Sequence, residues 1–441
     1  MLRHSILLEF RLLVLGVGML LAFGSLAAEQ FMPLPSYRIG PYAAGGSGVF
    51  GGMIDYFNLI NRRDGGINGV KISWEECETE YKNDLALQCY EQLKQSGGDA
   101  TSMFHFLSTG ATYSALEQTR TDRIPLLSIG YGRADSADGR VFPYTFPLIT
   151  TYWSQNTAII KFIGRMEGGM QQLKGKRIVN LYHDSDYGRE TLAILQKQAG
   201  LYDFQVENIA VPHPGVNQQA QWRKVLTFNP DWVVLRGWGV MTAAALRHAQ
   251  RVGFPREQIV GVWWSAAEED VVPAGDAAVG YIAAGFHPGG TDFPVHSDLK
   301  IYVYDQGLGN MQDANRVGSI YHNRGLITAM ISVEGIRQAQ RKFGNRTLSG
   351  EEVRWGIENL QLDEKAISDL GFSGLAQPLK VSCLDHEGGG AVKFSQWDGK
   401  RWNQLTDWIS SDQKIVRPMV EASAARYANE HGIELRDCNV P

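Results

Sequence analysis

The sequence predicts an α/β fold built in two halves, each a parallel β-sheet flanked by helices. Three observations carry that prediction. Apolar strand segments alternate with amphipathic helical segments at short spacing. Glycine contributes 49 of the 441 residues, enough for many strand-to-helix turns. The alternation also runs twice, once before Pro147 and again from Arg177 to Val262. Short alternation of this kind implies right-handed crossovers and parallel pairing.

In the first half, strands are expected over 37–41, 70–76, 100–104 and 124–129, with helices over 49–63, 83–96 and 111–121. The glycine-rich stretch 45–48 reads as a loop between the first strand and the first helix. Met53, Ile54, Phe57 and Ile60 fall on one face of that helix. The loop offers backbone N–H groups and Phe50 at the carboxyl end of a sheet, where open α/β folds bind ligands. Residues 142–148, FPYTFPL, are extended and punctuated by proline, a crossing segment rather than a core helix.

In the second half, strands are expected over 177–182, 204–209, 231–235 and 259–262, with helices over 155–170, 188–199, 217–228 and 240–252. The pattern changes after Gly275. A strand is expected over 281–286 and a long amphipathic helix over 323–341. Ser349 caps a helix over 350–360, with Glu352 at the third following position. Late strands near 379–383 and 392–397 return to a sheet, and the polar end, 412–441, is helical.

Composition narrows the function. The chain is 44% hydrophobic and 20% charged, with a formal net charge of −5. Those values fit a globular protein and exclude collagen-like or largely disordered readings. The charges are scattered, so nucleic acid is not an expected partner. Arg3 and Arg11 precede an apolar run that ends in Ser25-Leu26-Ala27-Ala28. Residues 1–27 therefore read as a cleaved export signal, too short an apolar run for a membrane anchor. A periplasmic protein that is not membrane-embedded is expected. Its four cysteines read as two disulfides, Cys77 with Cys89 and Cys383 with Cys438. No CxxC or HxxxH spacing suggests zinc, and no cofactor is expected. Gly45-Gly46-Ser47-Gly48-Val49 lacks the last glycine of a nucleophile elbow, and no lysine follows it to make a phosphate loop. An enzyme is not expected.

Several segments, in order, carry a resemblance. They are Ile39-Gly40-Pro41, then INRRDGGING at 60–69, HFLSTGATYSALE at 105–117, HDSDYGRE at 183–190 and LRHAQRVGF at 246–254. Together they resemble the periplasmic solute-binding proteins of branched-chain amino acid ABC transporters, from Tyr37 to Trp397. The resemblance implies two Rossmann-like lobes joined by three crossing strands, near 147–151, 283–287 and 384–392. The first lobe would hold 31–149 plus 285–385, and the second 150–284 plus 386–441. It implies a monomer that clamps a small-molecule ligand between hinged lobes and delivers it to a membrane permease. A ligand sensor of the same fold is the alternative.

The resemblance also implies a site. Ser108, Thr109, Gly110 and Ala111 open a helix and would hold the ligand's carboxylate, with Ser108 and Ala111 the strongest contacts. Tyr131, between Gly130 and Gly132, faces the cleft where the family has small residues. Tyr187 would lie over the ligand from the second lobe. Trp238 and Trp263 end second-lobe strands. Amino-acid binders of the family carry a carboxylate after the latter strand to pair with the ligand's ammonium. This chain has Trp263 or Trp264 there, and Glu268 and Glu269 come later. With Phe50 and Phe286, these residues predict an aromatic-rich cleft for a carboxylate-bearing solute, an amino acid or an aromatic or apolar acid or amide.

Overall fold

The computed structural model describes residues 29–439, and the expected export signal lies outside the described residues. The first layer starts with β1 (Glu29–Ser36) parallel to β2 (Lys71–Glu78). Parallel bridges Phe31–Thr101 and Phe104–Leu126 extend it to β3 (Leu126–Leu127), which pairs with β4 (Thr145–Phe146). The first strand therefore ends at Ser36 and does not run over 37–41. Pro33 and Pro35 disguise it. Ser36 O accepts from Thr79 N on the β2 side, whereas Phe31 O accepts from Ser102 N on the other. The odd-numbered residues, both prolines among them, thus turn their backbone away from the β2 ladder, where a missing N–H costs little.

The second layer is an eight-stranded sheet. Its parallel part comprises β5 (Arg177–His183), β6 (Gln205–Val211), β7 (Trp232–Arg236), β8 (Ile259–Gly261) and β9 (Ile282–Gly285). A short antiparallel pair follows, β10 (Gln361–Leu362) with β11 (Leu379–Lys380), separate from both layers. The chain then returns to the second sheet with β12 (Ala391–Trp397), antiparallel to β9, and with β13 (Trp402–Gln404) and β14 (Ile409–Ser410) on β12.

Helices α1 (Ala43–Arg63), α2 (Asn83–Gly97), α3 (Thr109–Asp122) and α4 (Tyr152–Met166) follow their strands. The glycines at 45–48 are the first turns of α1, not a loop before it. Their role is close packing. A Cβ on Gly48 would lie 2.5 Å from Tyr321 Cβ, and one on Gly52 would lie 2.2 Å from His322 O. Gly325 reciprocates, since its Cβ would lie 2.1 Å from Val49 O. Residues without Cβ let α1 and the helix Ile320–Phe343 approach backbone to backbone. Ser349 and Glu352 form the expected capping box on the helix Gly350–Glu358.

The C-terminal helix Gln413–His431 straps both halves. Ile415, Val416 and Val420 pack with Ala134, Trp153 and Ile194, and Ala424 and Tyr427 pack with Leu116 and Phe142. Disulfides join Cys77 to Cys89 and Cys383 to Cys438, the second tying the segment after this helix to the one after β11. Among the described residues no helix is long and apolar enough to cross a membrane.

Candidate ligand cleft

Loops at the carboxyl ends of both layers face each other. The first layer supplies Tyr81 after β2, Leu107 and Thr109 at the start of α3, and Tyr131 after β3. The second supplies Tyr152 at the start of α4, Tyr187 after β5, Trp238 after β7 and Trp264 after β8. These eight residues enclose a cavity of about 10 Å³, and six of them are aromatic. A space of that size holds about one water, so a larger ligand enters only as the halves part or the rings turn.

Most polar groups of the wall are already engaged. Ser108 is the N-cap of α3, its Oγ accepting from Ala111 N at 3.3 Å. Thr109 Oγ1 accepts from Gly132 N at 3.3 Å and lies 3.4 Å from the Tyr152 hydroxyl. The Tyr131 hydroxyl accepts from Leu107 N and donates to Leu127 O, which leaves its ring to the cavity. Tyr187 donates to Gly237 O at 3.0 Å. Trp263 and Trp264 cross between the halves and both donate to Gly130 O, at 2.5 and 2.8 Å. Trp238 Nε1 is a buried donor with no partner among the described residues.

Of the nine ligand residues expected from the sequence, Thr109, Tyr131, Tyr187 and Trp238 line the cavity. Trp263 sits behind the wall, stacked on Tyr152 at 6.0 Å, and Trp264 takes its place. The α3 N-cap Ser108 and Ala111 do not line the cavity, and a Cβ on Gly110 would meet the Asn83 amide of α2 at 2.7 Å. Phe50 is core, edge-on to Tyr37 at 6.1 Å. Tyr81, Leu107 and Tyr152 were not expected. Tyr81 and Leu107 have φ of 60° and 51°, left-handed conformations that no residue type at those positions announces. Tyr152 follows the proline-punctuated segment, and its place at a helix start was the available signal.

Among the described residues no carboxylate lines the cavity. Glu268 and Glu269 instead clasp the start of the helix Ile320–Phe343. Glu268 Oε2 accepts from Ile320 N at 2.9 Å, and Glu269 Oε1 accepts from Ser319 Oγ and Arg316 Nε, both at 2.8 Å. Asp270 accepts from the Tyr321 hydroxyl at 2.7 Å, and burial pushes its pKa up. Two fully buried guanidinium groups lie just behind the wall. Arg236 donates to Asn156 and to Asn180 Oδ1, and its Nη1 has no partner among the described residues. Arg324 donates to Trp263 O and lies 4.4 Å from the Trp264 ring. Burial lowers both arginine pKa values only to about 10, so both stay charged at neutral pH.

The profile of the family described as "Periplasmic binding protein" matches residues 32–401. The chain belongs to the periplasmic binding protein family. A solved structure from the Pseudomonas fluorescens group, described as an ABC transporter permease, is 47% identical, with TM-score 0.87, covering 93% of this chain and all of the other. A Thermus thermophilus branched-chain amino acid ABC transporter protein with bound valine superposes at TM-score 0.75 and 21% identity, covering 89% of this chain and 99% of the other. A Rhodopseudomonas palustris solute-binding protein in complex with benzoate does so at TM-score 0.66 and 16% identity, covering 87% and 98%. No curated protein matches the chain. This periplasmic binding protein is thus of the Leu/Ile/Val-binding type, a family of solute-binding proteins of ABC transporters.

Proposed function

We propose that this protein works outside the cytoplasm and captures a small aromatic or apolar carboxylate, or the matching amide, for delivery to a membrane permease. The observation that carries the reading is a cleft wall with six aromatic rings and no carboxylate. An ammonium buried there would lack a counter-charge, a costly arrangement. A carboxylate would meet the opposite field, set by Arg236 and Arg324, with Trp238 Nε1 as a free donor. The fold accommodates either class, since one structural relative holds valine and another benzoate. The export signal expected at 1–27 and the two disulfides support an oxidising compartment.

A thermal-shift screen tests this, because a ligand bound to the native state raises its stability by mass action. Phenylalanine and 3-phenylpropanoate make the decisive pair, since they differ only by the ammonium group. The acid, benzoate, phenylacetate and their amides are expected to raise the melting temperature, and leucine, valine and phenylalanine are not. Strong stabilisation by leucine or valine with inert aromatic acids would overturn the reading.

A further inference from the structure

A second cavity, about 520 Å³, lies on the edge of the second sheet and shares no lining residue with the cleft. Its volume falls in the range of small-molecule sites. The floor is one face of β9, β12 and β13. Ala283 pairs with Ser395, Gly285 with Lys393, and Ser395 with Gln404, so short side chains stand side by side and leave the floor hollow. Trp402 and Trp408 form walls, and the segment after β9 closes another side through His287.

The charges around its mouth are unbalanced, and Lys400 and Arg401 there are exposed. Lys393, Lys400 and Arg401 line the cavity. The Lys393 ammonium lies 4.8 Å over the Trp408 ring and donates to Gln404 Oε1 at 3.2 Å. Neither Lys393 nor Lys400 has a carboxylate partner among the described residues, and Arg401 only reaches Asp398 at 3.7 Å. The one acid on the wall, Glu268, is committed to Ile320 N. His287 stays neutral, its pKa pushed down to about 3 by burial and by Arg324.

We propose that this cavity is a second ligand site, selective for a small aromatic anion. The rings of Trp402 and Trp408 suit a planar apolar body. The two lysines, neither with a carboxylate partner among the described residues, suit a carboxylate or sulfonate. The site stands independently of the ligand assigned to the cleft. Its walls include Glu268 and Ile320, the pair that joins the second sheet's loops to the long first-half helix.

The test titrates the full chain with 8-anilinonaphthalene-1-sulfonate and with its neutral counterpart, N-phenyl-1-naphthylamine. The sulfonate is expected to bind more tightly than the neutral probe. The Lys393→Gln/Lys400→Gln variant is expected to weaken the sulfonate about tenfold, the effect of losing about 1.4 kcal/mol of ion pairing, and to leave the neutral probe within about twofold. Hydrogen exchange is expected to map sulfonate protection to 282–290 and 391–408. Equal binding of both probes, no effect of the lysine substitutions, or protection at 107–111 instead would each overturn the proposal.

Discussion

The indole of Trp238 occupies the place where a side chain on Gly45 would stand: a Cβ there would lie 2.3 Å from its ring. Gly45 is in α1 of the first half, and Trp238 follows β7 of the second, so this contact is a seam between the halves. Gly45→Ala is expected to overpack the seam and cost about 1–3 kcal/mol. The double variant Gly45→Ala/Trp238→Leu should recover much of that loss by making room. Urea unfolding of the single and double variants checks it; strictly additive losses would mean that the contact is not the cause.

The clasp of Glu269 on Arg316 and Ser319 crosses the same seam. Arg316 also donates to Ala44 O at 2.5 Å, so one guanidinium ties a second-half acid to the start of α1. Glu269→Gln keeps the shape and removes the charge. It is expected to loosen closure and raise the dissociation rate of any ligand from the thermal-shift screen about tenfold, for a loss near 1.4 kcal/mol. Stopped-flow dissociation reads this directly; an unchanged rate would assign the clasp to stability alone.

Much of this architecture could be read before the structure, because strand-to-helix alternation depends on local periodicity. The failures lie where a tertiary contact decides. Gly45–Gly48 looked like a loop, since glycine is a poor helix former, yet α1 needs it for contact with Tyr37, Trp238 and Tyr321. The aromatic character of the cleft was legible because aromatic residues cluster after strand ends. Which ring faces inward was not. Trp263–Ser265 is a single 3-10 turn, and its rotation puts Trp264 on the wall and Trp263 against Tyr152. The positive φ of Tyr81 likewise is announced by no residue type at that position.

Ser108 separates two roles that its sequence context leaves entangled. As the N-cap of α3 it satisfies Ala111 N. Ser108→Ala is expected to cost about 1 kcal/mol of stability and Ser108→Gly only a few tenths. If the hydroxyl also meets the ligand, both variants lose affinity equally. Paired urea melts and titrations with 3-phenylpropanoate distinguish the roles; affinity that tracks stability across the two variants would confine Ser108 to capping.

Glu387 gives the protein a dependence on pH. It lies between β11 and β12, with Oε1 accepting from Thr151 N at 2.8 Å just before α4. Burial raises its pKa from 4.5 to about 7, against the opposing hydrogen bond from Thr151 N. Between those values the folded carboxyl keeps a proton that the unfolded one has released, so stability falls as pH rises across that window. A shift of this size corresponds to a change on the order of 3 kcal/mol. Glu190, raised to about 8 by burial despite hydrogen bonds from Tyr113 and Ala134, adds a decline that reaches somewhat higher pH. Glu387→Gln keeps an acceptor for Thr151 and removes the titration. Its melting temperature is therefore expected to fall less than the wild type's between pH 5 and pH 8, and Glu190→Gln should make the slope near pH 8 shallower. Calorimetry across that range decides, and curves that stay parallel to the wild type would show that neither carboxyl carries the proton.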